Sequence, residues 1–219
     1  MSRVRAPFWA ERSTLSRRER FCVSGKTAVI TGAASGIGRA TAEALAGHGV
    51  RLALVDRDAA SCEETRSAVE SLGGEAIVLR ADVREHAQVY EAYRRTLEAF
   101  GDVHIVMNNA GVLRVGPALE LDEDSWKYVI DVNLWGVIHG CRVFGEHFVR
   151  NGRGHIVNTA SAAGLSGLPF SAAYASSKFA VVGLSESLRW ELSQFGVGVT
   201  VVCPGAIRTG IARGSGGPW

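Results

Sequence analysis

The sequence predicts an α/β fold, a doubly wound parallel sheet of six strands with helices on both faces. Three observations carry this. From residue 26 onward the apolar pattern alternates between short β-branched runs and longer stretches of helical spacing. The first run stops at a glycine-rich turn, Gly32–Gly38, where a strand of an open parallel sheet hands over to a helix. The 219 residues suit one domain with a substantial core.

Taken in order, Thr27–Thr31 is the first strand, and Gly38–Ala46 is a helix of small and apolar residues. Val50–Val55 is the second strand. Ala59–Leu72 is a helix with Glu63, Glu64, Arg66 and Glu70 on its wet side. Ile77–Leu79, the helix His86–Phe100 and the strand Val103–Met107 follow. Ser125–Arg150 reads as one long helix with the stripe Ile130, Leu134, Val137, Ile138, Cys141, Phe144 and Phe148. His155–Asn158 is the fifth strand, Ser176–Gln194 a helix and Val199–Cys203 the sixth strand.

Composition excludes several classes. Hydrophobic content of 47% and charged content of 21% are those of an ordinary globular protein. No apolar run reaches the length of a membrane span, so no membrane association is expected, and the protein is read as cytoplasmic. Cys22, Cys62, Cys141 and Cys203 are far apart, which suits reduced thiols. The six histidines have no metal-ligand spacing, so no metal site is expected. Residues 1–20 carry six arginines against two glutamates. They lack the apolar core of a secretory signal and read as a solvated, flexible extension to residue 23; no nucleic-acid role is expected.

The chemistry-bearing residues fall in short blocks along the chain. Gly32, Ser35, Gly36, Ile37 and Gly38 form a turn whose bare N–H groups suit a pyrophosphate, although Gly-x-x-x-Gly-x-Gly is not the usual fingerprint and glycines also serve tight packing. Asp56, eighteen residues past Gly38 at the end of the second strand, can accept from two ribose hydroxyls and repels a 2′-phosphate. That favours NAD; Arg57 beside it can meet a phosphate, which keeps NADP open. Asp82 and Val83 end the third strand, either against an adenine or with Asp82 as a helix N-cap. Asn108-Asn109-Ala110-Gly111 follows the fourth strand, bracing the sheet and bordering the cofactor. Asn133, Ser161, Tyr174 with Lys178 one helical turn on, and Pro204-Gly205 complete the series.

These residues, from about Ser24 to Thr209, resemble the short-chain dehydrogenase/reductase family, whose fold is Rossmann-like. The segment Asp131–Cys141 also looks like bacterial members sometimes fused behind an α/β-hydrolase. The resemblance implies an oxidoreductase that interconverts an alcohol and a carbonyl with NAD(H) or NADP(H). An ammonium about 4 Å from a phenol supplies roughly 4 kcal/mol at an effective dielectric of 20, enough to draw a group that titrates near 10 toward neutrality. Tyr174 is then the acid or base and Ser161 orients the substrate oxygen. By resemblance Lys178 also holds the nicotinamide ribose, Asn133 anchors a water relaying protons to Lys178, and Asn109, Ala110, Gly111, Pro204, Gly205, Ile207 and Thr209 border the cofactor. Leu113, Val115, Leu165, Leu168, Pro169 and Phe170 are expected to form an apolar substrate wall.

Family members continue beyond Thr209 with a lid segment, a helix and a seventh strand, expected here to be missing, with residues 210–219 a flexible tail. That leaves a second reading, a catalytically impaired dinucleotide-binding or interaction protein. It also leaves the sixth strand as an uncovered apolar edge. The wide apolar faces of the long helix and the Tyr174 helix imply, by resemblance, a homodimer or homotetramer.

Overall fold

The computed structural model describes residues 22–207 and 209–211. Of the extension expected over residues 1–23, all but 22 and 23 lies outside them, as does most of the expected tail, 212–219. The central strand is apolar on both faces because helices cover both. All five residues of β1 (Thr27–Thr31) are buried. The other strands are β2 (Arg51–Asp56), β3 (Glu75–Arg80), β4 (Ile105–Asn108), β5 (Gly154–Thr159) and β6 (Val197–Val202). All pair in parallel, in the order β3-β2-β1-β4-β5-β6.

The helices are α1 (Gly36–Ala46), α2 (Ala59–Ser71), α3 (His86–Phe100), α4 (Glu123–Ile130), α5 (Gly136–Asn151) and α6 (Ala172–Ser193). Chain direction assigns them to faces: moving outward from β1 to β3 places α1 and α2 on one side, and returning through β4 to β6 places α3, α5 and α6 on the other. The two cores follow. Ala28, Ile30, Leu52, Leu54 and Cys62 pack with α1 and α2, while Val29, Val55, Val106 and Ile156 pack with Phe144, Phe148 and Val181. The reversal of strand order between β1 and β4 opens a crevice at their carboxyl ends.

The expected long helix is not uniform. Between α4 and α5 the residues Asp131–Trp135 form a π-helical turn, in which the Gly136 N–H donates to the Asp131 carbonyl five residues back. The extra residue rotates Asn133 to full burial. Past the turn, α5 lies so close to the sheet that a Cβ on Gly136 would stand 2.7 Å from Val83, and one on Gly140 would overlap Asn108. The helix after β1 starts at Gly36, two residues earlier than its spacing predicted, and α6 at Ala172, four earlier. Tyr174 therefore sits in the first turn of α6, at the positive end of the helix dipole.

The far end of the sheet is held by polar contacts. Asp102 accepts from the Val103 N–H at 2.8 Å, from His147 at 2.9 Å and from Arg153 at 2.9 Å. Burial pushes its carboxyl upward, but these three hydrogen bonds outweigh it and hold the group below its ordinary value. β6 is an edge strand among the described residues, and Val202 at its end is 38% exposed.

Candidate active site

The turn after β1 is shaped by two close approaches. Gly32 has φ +68°, and a Cβ there would stand 2.8 Å from the Ala110 Cα, so only glycine admits the β4 loop beside it. A Cβ on Gly38 would overlap the Gly32 carbonyl oxygen, so Gly38 seats α1 on the turn rather than facing the crevice. Ser35, the N-cap of α1, makes no side-chain capping bond, and the first turn carries no acidic residue. Ser35, Gly36 and Ile37 border the crevice, and the N–H groups of a helix start suit an anion. Asp56 is set by two backbone donors, the N–H groups of Ala34 and Asp58, each at 3.1 Å.

Thr31, which heads the glycine block in sequence but has no role of its own there, ties the halves of the crevice together. Its hydroxyl accepts from the N–H groups of Asn109 at 2.9 Å and Ala110 at 3.1 Å, and Asn109 Nδ2 donates to the Thr31 carbonyl at 3.0 Å. A threonine just before the first glycine, at a buried strand end, was the available signal. Asn109 thus braces the turn. Asp82 is not a helix N-cap: Glu85 occupies the N-cap of α3, and Asp82 instead pairs with Arg84 at 2.7 Å.

Asn133 is a bracket. Its Oδ1 accepts from the Val112 N–H at 2.8 Å, and its Nδ2 donates to the Val112 carbonyl at 2.9 Å and to Ser177 Oγ at 3.1 Å. Ser177 in turn donates to the Tyr174 carbonyl at 2.6 Å. The residue that sequence linked to a water is, in the structure, bonded to the loop after β4 and, through Ser177, to α6.

Lys178 is buried, and its Nζ donates to the Thr159 carbonyl at 2.8 Å. It stands 5.7 Å from the centre of the Tyr174 ring. Burial pushes the Lys178 ammonium down to about 8, with Cys203 opposing. Ser161 caps the short 3-10 turn Ala162–Gly164, accepting from the Ala163 N–H at 3.1 Å, which leaves its own proton to donate.

A cavity of about 600 Å³ gathers these groups. Gly32, Ser35, Gly36, Ile37, Asp56, Arg57, Asp82, Val83, Asn109, Ala110, Gly111, Ser161, Tyr174, Lys178, Pro204, Gly205, Ile207 and Thr209 all line it. Gly38 and Asn133 do not. Tyr128, Val132, Thr159 and Arg114 line it without having been named from sequence. Of the expected apolar wall only Leu113 reaches the cavity; Leu165, Leu168 and Phe170 are more than half exposed on their loop. Among the described residues no cluster of His, Cys, Asp or Glu is placed to hold a metal, and no helix is long and apolar enough to cross a membrane.

Comparison with known proteins agrees with this geometry. Residues 26–216 match the family model described as short chain dehydrogenase. A Mycobacterium tuberculosis protein named as an oxidoreductase, SadH, is 41% identical over 191 residues, which are 86% of this chain and 69% of that protein. A Burkholderia phymatum short-chain dehydrogenase/reductase solved in complex with NAD superposes with a TM-score of 0.86 at 44% identity, covering 88% of this chain and 70% of the other. NAD+-bound xylitol dehydrogenase gives a TM-score of 0.82 at 32% identity, covering 84% and 71%. The six-stranded Rossmann-like sheet, the matched model and these relatives lead to one conclusion: the chain belongs to the short-chain dehydrogenase/reductase family of oxidoreductases.

Proposed function

We propose that the protein interconverts a small-molecule alcohol and its carbonyl, with NAD as the favoured cofactor. The reading rests above all on Ser161, Tyr174 and Lys178 lining the same cavity as the Gly32–Ile37 turn and Asp56. The residues fit a dinucleotide. The uncapped first turn of α1 suits the pyrophosphate, the Asp56 carboxylate the ribose hydroxyls, and Asp82 and Val83 the adenine. Pro204, Gly205, Ile207 and Thr209 border the opposite end. Bound there, NAD supplies the hydride acceptor for the alcohol carbon, or in reduced form the donor.

This chain's own part is to bind, orient and move a proton. Ser161 donates its hydroxyl proton to the substrate oxygen. Tyr174 takes the alcohol proton during oxidation and returns it during reduction, from the first turn of α6 and beside Lys178. Lys178 is held beside Tyr174 by donating to the Thr159 carbonyl. Asn133 positions Val112 and, through Ser177, the first turn of α6; it acts through its neighbours rather than on substrate. Trp135, Phe179 and Trp190 leave large apolar surface on the long helix and α6, and we propose that these faces join copies of the chain in a dimer or tetramer.

The test is NADH and NADPH binding by fluorescence on wild type, Asp56→Ala and Tyr174→Phe. NADH binding by wild type that weakens in Asp56→Ala and persists in Tyr174→Phe supports the cofactor site. A panel of secondary alcohols and ketones, turned over by wild type and not by Tyr174→Phe, supports the chemistry. A folded protein that binds neither cofactor refutes the reading. Cofactor binding without turnover favours the dinucleotide-binding alternative.

A further inference from the structure

The adenosine end of the cleft holds a cluster that the catalytic reading does not use. Arg57, next to Asp56 at the end of β2, reaches α4, where its Nη1 donates to the Tyr128 hydroxyl at 2.9 Å. The Tyr128 ring also carries Arg114 and Arg84, their guanidinium carbons 5.1 and 5.5 Å from its centre. Arg84 has a carboxylate partner, Asp82, which it grips with two nitrogens at 2.7 to 3.0 Å. Arg57 forms no ion pair among the described residues; its hydrogen-bond partner is a neutral phenol. Beside it the cleft runs on into a hollow of about 740 Å³ lined by Arg57, Asp58, Arg80, Asp82 and Gln88.

We infer that Tyr128 sets cofactor preference by occupying Arg57. The inference rests on the dinucleotide reading of the cleft. If Asp56 takes the ribose hydroxyls, a 2′-phosphate on that ribose faces the hollow between Arg57 and Arg80. A guanidinium–phosphate pair is charge-assisted and bidentate, and stronger than a bond to a phenol. The Tyr128 hydroxyl therefore competes with the phosphate for Arg57, adding to the repulsion from Asp56. Discrimination against NADP(H) then comes from two elements, a repelling carboxylate on β2 and a tyrosine on α4 that withholds the available cation.

Tyr128→Phe separates the hydroxyl from the ring, since phenylalanine keeps the surface on which Arg84 and Arg114 lie. Titrations of NADH and NADPH against wild type, Tyr128→Phe and the double variant Tyr128→Phe/Arg57→Ala read the ratio of the two affinities. The expected result is a shift of that ratio toward NADPH by about tenfold in Tyr128→Phe, the scale of one hydrogen bond to a charged group. The shift disappears in the double variant. An unchanged ratio in Tyr128→Phe, or a shift that survives removal of Arg57, overturns the inference while leaving the dinucleotide site intact. Failure of folded wild type to bind either cofactor removes the dinucleotide reading and this inference with it.

Discussion

Replacing Lys178 with methionine keeps the length of the stem and removes a charge that the fold has taken out of water. Burial lowers this ammonium from an ordinary 10.5 to about 8. The gap of roughly two and a half units corresponds to about 3 kcal/mol of penalty on the folded state. Its pH dependence has a definite sign. Below pH 8 the lysine is charged in both states and the penalty is complete. Between about 8 and 10.5 the unfolded chain binds the extra proton, so stability rises with pH; above that window the penalty is gone. Lys178→Met has no such window. Urea unfolding followed by the fluorescence of the five tryptophans, at half-unit steps from pH 7.5 to 10.5, gives both stabilities. Wild type should gain on the variant by about 3 kcal/mol across that range. The absolute offset also contains the lost bond to the Thr159 carbonyl, so the slope is the test. A difference that stays flat with pH would refute the claim that the ammonium is held at the expense of stability.

Further outcomes follow from the packing and the polar brackets. Gly140→Ala drives a methyl group into Asn108 and should lower stability by about 3 kcal/mol or more, seen as a shifted urea midpoint at unchanged slope. Asn133→Ala removes three hydrogen bonds made by a buried amide, with about 3 kcal/mol lost in the same assay and turnover reduced because Val112 and the first turn of α6 are no longer tied. Asp102→Asn should lower stability at neutral pH by about 1–2 kcal/mol through the weakened His147 and Arg153 contacts. Because the folded carboxyl is held below its unfolded value, that advantage is present above the unfolded value and fades as pH falls through the folded one. Wild type and Asp102→Asn should converge in acid; a gap persisting below pH 2 contradicts the assignment.

The sheet was legible because period-two and period-3.6 apolar patterns alternate without interruption, and strand order follows from connection handedness. The cleft was legible because its residues lie at strand ends, next to glycines. What escaped depends on hydrogen-bond register and on where long side chains end. An apolar stripe reads through the π-helical turn at Asp131–Trp135 as if it were α-helix, since one extra backbone residue leaves the side-chain order almost intact. The i, i+4 spacing of Tyr174 and Lys178 brings their stems together, but the ammonium goes to whatever acceptor the neighbouring strand offers, here Thr159. Leu165, Leu168 and Phe170 looked like pocket wall by composition; their loop instead leaves them exposed. Arg57 was legible as a cation near the ribose end, yet its partner Tyr128 lies far along the chain on another element.

The joins that make the cleft also govern when it can come into being. Gly32 meets Ala110, and Gly36 meets Thr209 across nearly the whole described length, while Lys178 is anchored on the strand before its own helix. Each join requires loops to close that are entropically unfavourable until the parallel sheet around them exists. Helical content should therefore return early in refolding, and competence to bind dinucleotide only after β1 and β4 are paired and the Thr209 segment has reached the glycine turn. A stopped refolding reaction would then contain molecules with native-like circular dichroism that do not yet bind NADH, and the interval between the two signals would time the closing of the crevice.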